Sequence, residues 1–133
     1  MKVAFASTDG KTVDQHFGTT TGFHLFEIGP ETAVPAGQAA VAASEDDEEG
    51  RIQARANLVA GCAIVYSTRI GGPAAAKLVA RRIQPMKTGT EVPISELIVR
   101  LQEVLRGSPP PWLRKAMNPG NAPSFPEDET GKA

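Results

Sequence analysis

The feature that constrains the fold most is a short, unbroken apolar run in the middle of the chain, Cys62-Ala63-Ile64-Val65-Tyr66. A run of this length is too short to cross a membrane, and it is typical of a β-strand that is covered on both faces. Such strands lie in sheets that have helices packed on each side. The run therefore predicts an α/β protein in which it forms a central strand.

The flanking segments complete an alternation of strands and helices. Further strands are predicted at residues 2–7, 22–28 and 83–87, with a weaker extended segment at about 33–43. Helices are predicted from the acidic cluster 45–49, with Ser44 as its cap, from Pro73 to about Arg82, and from Pro93 to Gly107. Pro85 favours a sheet edge for the strand at 83–87, because proline has no amide hydrogen to donate to a neighbouring strand.

The composition is that of one globular domain followed by a tail. The chain has 133 residues, of which 41% are hydrophobic and 22% are charged. We predict a domain over residues 1–117 and a disordered tail over 118–133, because six of the eleven prolines lie after Gly107 and apolar periodicity ends at Met117. No apolar segment approaches the roughly 20 residues of a membrane span, and no signal peptide is recognisable. A cytoplasmic protein without a membrane partner is therefore expected.

Charge is distributed unevenly, although the formal net charge is only -1. Residues 1–50 hold two basic and nine acidic residues, about -7, whereas residues 51–115 hold eleven basic and three acidic residues, about +8. A section this basic favours an anionic ligand or partner, and the alternative is a solvated basic face balanced by the acidic cluster. Nucleic acid is not expected as a partner, because no DNA-reading motif is present.

The loop between the first two predicted strands carries the first candidate binding residues. It has about 13 residues, and a connection of that length in a compact domain is usually functional or disordered. Its His16 is one of two histidines in the chain, and a neutral imidazole is a competent metal ligand. Phe17 and Gly18 would supply an apolar wall and a close backbone approach to a ligand. The alternative for His16 is a histidine that is simply exposed to solvent.

The second candidate is a predicted strand-to-helix turn, Ser67-Thr68-Arg69-Ile70-Gly71-Gly72-Pro73. Backbone amides near Gly71 and Gly72 can receive an anion at the helix start, with Arg69 nearby, although the two glycines can equally serve close packing of helix on sheet. The turn lacks the signatures of nucleotide-binding loops. If the strands at 2–7 and 62–66 are parallel neighbours, one crevice at the sheet edge is faced by His16, Ser67, Thr68 and Arg69.

Two other residues of potential chemical interest are expected to be structural. Cys62 is the only cysteine, which excludes an internal disulfide and any site built from several thiolates of one chain. It begins the predicted central strand, at the edge opposite the crevice, and is expected to be a buried small hydrophobe. His24 is in phase with Phe26 and Ile28 and is expected to be an ordinary strand histidine.

No catalytic residue is assigned. Ser7, Asp14 and His16 have the residue types of a serine triad, but nothing in their spacing predicts triad geometry. The main functional alternative is a small hydrolase or transferase that acts on an anionic metabolite at the same crevice. A third possibility is an interaction module that works through the tail and Trp112. Residues 112–117 are predicted to form one helical turn, whose tryptophan either docks on the domain or binds a partner.

Five segments carry a family resemblance through their order and spacing between Met1 and about Met117. They are Val3-Ala4-Phe5-Ala6-Ser7, Val13-Asp14-Gln15-His16-Phe17-Gly18, Gly61-Cys62-Ala63-Ile64-Val65-Tyr66, Ile70-Gly71-Gly72-Pro73-Ala74-Ala75-Ala76 and Pro109-Pro110-Pro111-Trp112-Leu113-Arg114-Lys115. Together they resemble the nitrogenase iron-molybdenum cofactor-binding family that comprises NifX, the core domain of NafY and the C-terminal part of some NifB proteins.

The resemblance implies a single ribonuclease-H-like domain with a central mixed sheet of about five strands, the second antiparallel, flanked by helices. It implies a non-catalytic carrier that moves an iron-sulfur precursor of the iron-molybdenum cofactor, such as the NifB cofactor, from NifB to the NifEN scaffold. A preassembled cluster brings its own sulfides, so one or two protein ligands suffice. On this hypothesis His16 is the metal ligand, while Arg69 and the amides near Gly71 and Gly72 offset the negative charge of the cluster.

Overall fold

A computed structural model describes residues 1–42 and 47–117 of the chain. In chain order the elements are β1 (Lys2–Ala6), β2 (Thr12–Val13), β3 (Gly22–Ile28), β4 (Ala33–Ala40), α1 (Glu48–Leu58), β5 (Ile64–Ser67), α2 (Gly72–Ala80), β6 (Gln84–Lys87), β7 (Val92–Pro93), α3 (Ile94–Arg106) and α4 (Pro111–Met117). The predicted α/β class is confirmed. No helix within the described ranges is long and apolar enough to cross a membrane.

Five strands form one mixed sheet in the spatial order β4-β3-β1-β5-β6. β1 is parallel to β5, with Val3 opposite Ile64, and β5 is parallel to β6. β3 runs antiparallel to both of its neighbours. This is the expected ribonuclease-H-like arrangement with a reversed second strand, and β6 lies at the sheet edge, as Pro85 indicated. The central strand begins at Ile64, two residues later than predicted.

Each face of the sheet carries its own hydrophobic cluster, because alternate residues of a strand point to opposite faces. On one face, Ala4 and Ala6 of β1 belong to a cluster with residues of α1 and α2. On the other face, Val3 and Phe5 belong to a cluster with residues of α3 and α4. The ring of Phe5 stacks on Tyr66, with ring centroids 5.2 Å apart. Both faces of the sheet are therefore covered, which explains the unbroken apolar run in the central strand.

The helices begin where local sequence signals place them, with one correction. The cap of α1 is Asp47, whose carboxylate accepts a hydrogen bond from the Gly50 amide at 2.9 Å. The prediction of Ser44 as this cap is wrong, and Ser44 itself lies outside the described residues. α2 has a proline in its first turn, and α3 follows Pro93 and ends at Gly107, as predicted.

A second, two-stranded sheet is not predicted by the sequence patterns. β2 and β7 pair antiparallel over two residues each, with Val13 opposite Val92. Segments this short leave no periodic pattern. The amide of Ile94 also donates to the carbonyl of Lys11 at 2.8 Å. The loop after β1 is thereby joined to the start of α3.

The segment after α3 forms the expected helical turn as α4, but a different side chain docks it on the domain. α4 docks through Leu113, which is 2% exposed, whereas Trp112 is 42% exposed. The prediction that the tryptophan docks on the domain is therefore wrong, because the neighbouring leucine takes the buried position. The predicted disorder of residues 118–133 lies outside the described residues.

Candidate functional site

The loop after β1 and the turn after β5 meet at the carboxyl edge of the parallel strands. The amide of Phe17 donates to the carbonyl of Arg69 at 2.9 Å, and the amide of Thr68 donates to the carbonyl of Gln15 at 2.9 Å. These two bonds join the two segments that the sequence singled out. Ligands in open α/β sheets bind at this edge, so the region is the candidate site.

His16 lies at the first position of a tight turn on this edge. Its carbonyl accepts hydrogen bonds from the amides of Thr19 and Thr20, at 3.3 and 3.0 Å. The side chains of His16 and Arg69 are both exposed. The structure therefore presents an imidazole and a guanidinium from two adjoining backbone segments, and both are accessible to a ligand.

Phe17 does not form a wall for a ligand. Its side chain is fully buried in the cluster on the α1 and α2 face, with its ring centroid 5.7 Å from that of Phe23. The expectation for Phe17 is corrected accordingly, because a buried ring fixes the loop and offers no surface. Gly18 is partly exposed, and a Cβ added there would meet no atom within 4 Å. The backbone beside His16 is thus open to close approach.

Ser67 and Thr68 also lie below the surface, contrary to their expected place facing the crevice. Both residues are buried. Their carbonyls accept hydrogen bonds from the loop after β6, from the amides of Thr88 at 2.9 Å and Gly89 at 3.0 Å. These bonds continue the parallel pairing of β5 and β6 into the loop after β6. They support the turn that carries Arg69.

Gly71 and Gly72 are exposed at the start of α2. Gly71 is the N-cap and provides no side-chain hydrogen bond to the first turn, so the amides there are available to an anion. A cavity of about 260 Å³ on one side of this turn is lined by Glu48, Glu49, Ile52, Pro73 and Lys77. Its two carboxylates outnumber the one lysine, so this cavity does not favour an anion.

Two aspartates shape the loop after β1. One carboxylate oxygen of Asp9 accepts from the amides of Lys11 and Thr12, at 2.8 and 3.1 Å, and from the Ser7 hydroxyl at 3.2 Å. These bonds, that from Lys11 first, lower the pKa of Asp9 below its ordinary value. The carboxylate of Asp14 accepts both from the amide and from the hydroxyl of Thr8, at 3.0 and 2.5 Å.

These bonds argue against a serine triad. The Ser7 hydroxyl donates to Asp9 and accepts from the amide of Gly10 at 2.9 Å, while Asp14 is bonded to Thr8. Neither group is engaged with His16, so the three residue types do not form the relay that a serine nucleophile needs.

The thiol is remote from this edge. Cys62 is 4% exposed and precedes β5, whose other end carries Ser67. Burial raises the pKa of Cys62 to about 11, so the thiol stays protonated at neutral pH. Within residues 1–42 and 47–117, no three His, Cys, Asp or Glu side chains come together in a way that could hold a metal ion.

Two residues near the site have surroundings that the sequence does not predict. His24 is a residue of β3, as expected, and it lines a small depression of about 130 Å³ with Ser7 and Thr8, at the same sheet edge as His16. Its ring packs so closely on Gly10 that an added Cβ there would lie 2.7 Å from Cε1 of His24. The second residue is the buried Arg55 of α1, which contacts the His16 turn and leaves no recognisable sequence signal.

The chain is thus a small α/β domain of the ribonuclease-H-like kind that presents a histidine and an arginine on adjoining loops. Within that class, residues 1–104 match the family described as Dinitrogenase iron-molybdenum cofactor, and the chain belongs to this family.

Curated relatives agree with this membership. Protein NifX of Herbaspirillum seropedicae is 40% identical over 122 residues, which cover 90% of this chain and 84% of that protein. Protein NifX of Azotobacter vinelandii is 36% identical over 130 residues, covering 94% and 80% of the two chains. Protein NifY of Azotobacter vinelandii is 37% identical over 117 residues, which cover 88% of this chain and 48% of NifY. The family and these names support involvement in nitrogenase cofactor biosynthesis.

A solved structure shares the fold. The protein described as PH0822 superposes with a TM-score of 0.62 and 23% identity, covering 77% of this chain and 91% of that one. At this level of identity the likeness shows the fold alone.

Proposed function

We propose that this protein is a non-catalytic carrier in nitrogenase cofactor biosynthesis. It binds an iron-sulfur precursor of the iron-molybdenum cofactor, the NifB cofactor or a later form, and passes it from NifB to the NifEN scaffold. The observation that supports this most is the exposed His16, held on a turn against the Arg69 segment in a chain of the iron-molybdenum cofactor family.

The proposal assigns different tasks to the accessible residues of the edge. His16 supplies a nitrogen ligand to one iron of a cluster that already has its own sulfides. Arg69 and the amides near Gly71 and Gly72 offset the negative charge of the cluster, with Gly18 leaving room beside the imidazole. One ligand with electrostatic support gives modest affinity, and a carrier needs modest affinity in order to release its cargo to the next protein.

The binding test compares the two histidines of this edge. Anaerobic protein is mixed with isolated NifB cofactor and passed through a gel-filtration column, and iron and visible absorption are measured in the protein peak. His16→Ala is expected to weaken retention about tenfold or more, because it removes the metal ligand itself. His24→Gln serves as the matched control and is expected to retain iron like the unaltered protein.

Equal iron retention by His16→Ala and the unaltered protein would contradict the assignment of His16. A salt series on the same column tests the charge contribution, since retention that depends on Arg69 falls with ionic strength. Arg69→Gln is expected to flatten that salt dependence.

The alternative functions receive less support from the geometry. A hydrolase or transferase needs an activated nucleophile or base, and the Ser7 and Asp14 side chains are bonded to Asp9 and Thr8. Turnover of an anionic metabolite without iron would nevertheless favour that function over a carrier. An interaction module would use the exposed Trp112, and it would bind its partner without binding a cluster.

A further inference from the structure

Arg55 of α1 is a buried cation that bonds to the loop carrying the candidate ligand. Arg55 is only 7% exposed. Nε and Nη2 both donate to the carbonyl of Thr20, at 3.1 and 2.9 Å, and Nη1 donates to the carbonyl of Arg51 at 3.0 Å. Two of the three bonds therefore reach across 35 residues of sequence to one carbonyl oxygen.

Burying the guanidinium of Arg55 costs free energy that an apolar side chain at this position would not cost. Burial removes water from the charge, and it lowers the pKa of Arg55 below its ordinary value. The neighbouring positions on the same face, Ile52 and Ala56 of α1 and Val59 directly after it, are apolar and buried. A leucine or methionine at position 55 would fill such a face, so the guanidinium is explained by the hydrogen bonds that it makes to Thr20.

Thr20 closes the turn on which His16 stands. Its amide donates to the His16 carbonyl at 3.0 Å, and its hydroxyl donates to the carbonyl of Gly22 at 2.8 Å. Thr20 is fully buried. At the other side of the turn, the Phe17 amide is held by the Arg69 carbonyl. Arg55 therefore fixes the far end of a turn whose near end is fixed by the Arg69 segment.

We infer that Arg55 is a positioning residue for the His16 site. By holding the Thr20 carbonyl with two donors, it fixes the turn from His16 to Thr20 and so the place from which the imidazole meets a cluster. The inference rests on the proposed function, because it assigns a role toward the cargo to a residue that does not touch it. It makes α1 part of the binding apparatus, although no exposed residue of that helix is involved.

The first test concerns the turn itself, in the apoprotein. Arg55→Lys keeps the charge, but a single ammonium group cannot reproduce the planar two-donor contact of a guanidinium. Native-state hydrogen exchange at the amides of Thr19 and Thr20 is expected to be about tenfold faster in Arg55→Lys. The matched control is Val59→Ala, a buried position directly after the end of α1 and four residues beyond Arg55, which is expected to change these two amides no more than it changes the rest of the domain.

The second test concerns the cargo and uses a double-mutant cycle. Retention of isolated NifB cofactor is measured as the protein concentration that holds half of the iron, for the unaltered protein, Arg55→Lys, His16→Ala and the double variant. Arg55→Lys is expected to weaken retention about fivefold when His16 is present and to have no further effect when His16 is absent. Val59→Ala is expected to retain iron like the unaltered protein.

The outcomes separate this inference from the proposed function. Suppose that His16→Ala loses iron, while Arg55→Lys shows normal hydrogen exchange at Thr19 and Thr20 and normal iron retention. The inference about Arg55 is then overturned, and the proposed carrier function stands. Weakening by Arg55→Lys that is equal with and without His16, or that Val59→Ala reproduces, also overturns it. If His16→Ala retains all of its iron, the assignment of His16 fails, and the inference fails with it.

Discussion

Two of the segments that lie outside the main sheet and helices α1 to α3 are held in opposite ways. The loop of residues 7–21 has almost no regular structure, yet Val13, Phe17 and Thr20 within it are fully buried. The segment of residues 107–117 contains the regular helix α4, yet Leu113 is the one residue of that helix that is buried. The segment with less regular secondary structure is therefore the one that is attached more firmly to the rest of the domain.

Their hydrogen bonds show the same contrast. Backbone bonds join the loop to distant parts of the chain, at Ala6 of β1, Val41 after β4, Arg69 after β5 and Ile94 of α3. In α4, the amides of Leu113 and Arg114 bond to the carbonyl of Pro110 within the same segment. Irregular backbone with many distant partners can hold a ligand group in place, and a helix that docks through one buried leucine and the partly buried Met117 can detach at modest cost.

The largest effect on this comparison is expected from removing the buried ring of Phe17 in the loop. Phe17→Ala is expected to reduce the free energy of unfolding by about 3–5 kcal/mol, because it leaves a cavity against Phe23 in the core. Urea denaturation provides the measurement, with the exposed Val99→Ala as a control expected to stay within about 0.5 kcal/mol. A loss below about 1 kcal/mol for Phe17→Ala would show that the loop is not part of the core.

A smaller effect is expected at the other segment. Leu113→Ala is expected to cost about 2 kcal/mol, at the low end for a buried leucine, because α4 can detach and need not leave a sealed cavity. Limited proteolysis should then cut residues 107–117 earlier, while the loop of residues 7–21 remains protected. If Leu113→Ala lowers the free energy of unfolding more than Phe17→Ala does, the segment of residues 107–117 is the more firmly attached of the two.

The smallest effect is expected at low pH, through Asp9 of the loop. Asp9 has a pKa below its ordinary value of 3.8 in the folded protein, so it contributes stability above about pH 4 that is lost as the pH falls toward the folded pKa. Asp9→Asn is expected to make the free energy of unfolding depend less steeply on pH below about pH 4. Glu103→Gln, at an exposed position on α3, is the control, and an equal flattening by both variants would contradict the role of Asp9.

Elements whose signals are local could be predicted from the sequence. β3 occupies residues 22–28 as predicted, because alternation is bounded by turn residues at both ends. α3 follows from the spacing of Leu97, Leu101 and Leu105 and from the glycine after its last turn. The meeting of the two candidate loops also followed, because parallel neighbours end at one sheet edge.

Features that depend on distant partners could not be predicted. Phe17 and Trp112 lie in segments without periodicity, where nothing local decides which aromatic ring is buried. Ser67 and Thr68 were placed at the correct edge, but their burial depends on Thr88 and Gly89 of a later loop. The bond from Arg55 to Thr20 goes to a backbone carbonyl, which every residue carries and which leaves no trace in the sequence.

The bonds around His16 also set the order in which the candidate site can be assembled. Phe17 bonds to Arg69, and the loop carbonyl of Lys11 bonds to Ile94. Because a chain is synthesised from its N-terminus, His16 emerges long before either of these partners. A nascent chain that has not yet reached Ile94 carries the histidine on a loop that lacks its anchoring bonds. The arrangement that would receive a cluster therefore arises only when translation of the domain is nearly complete.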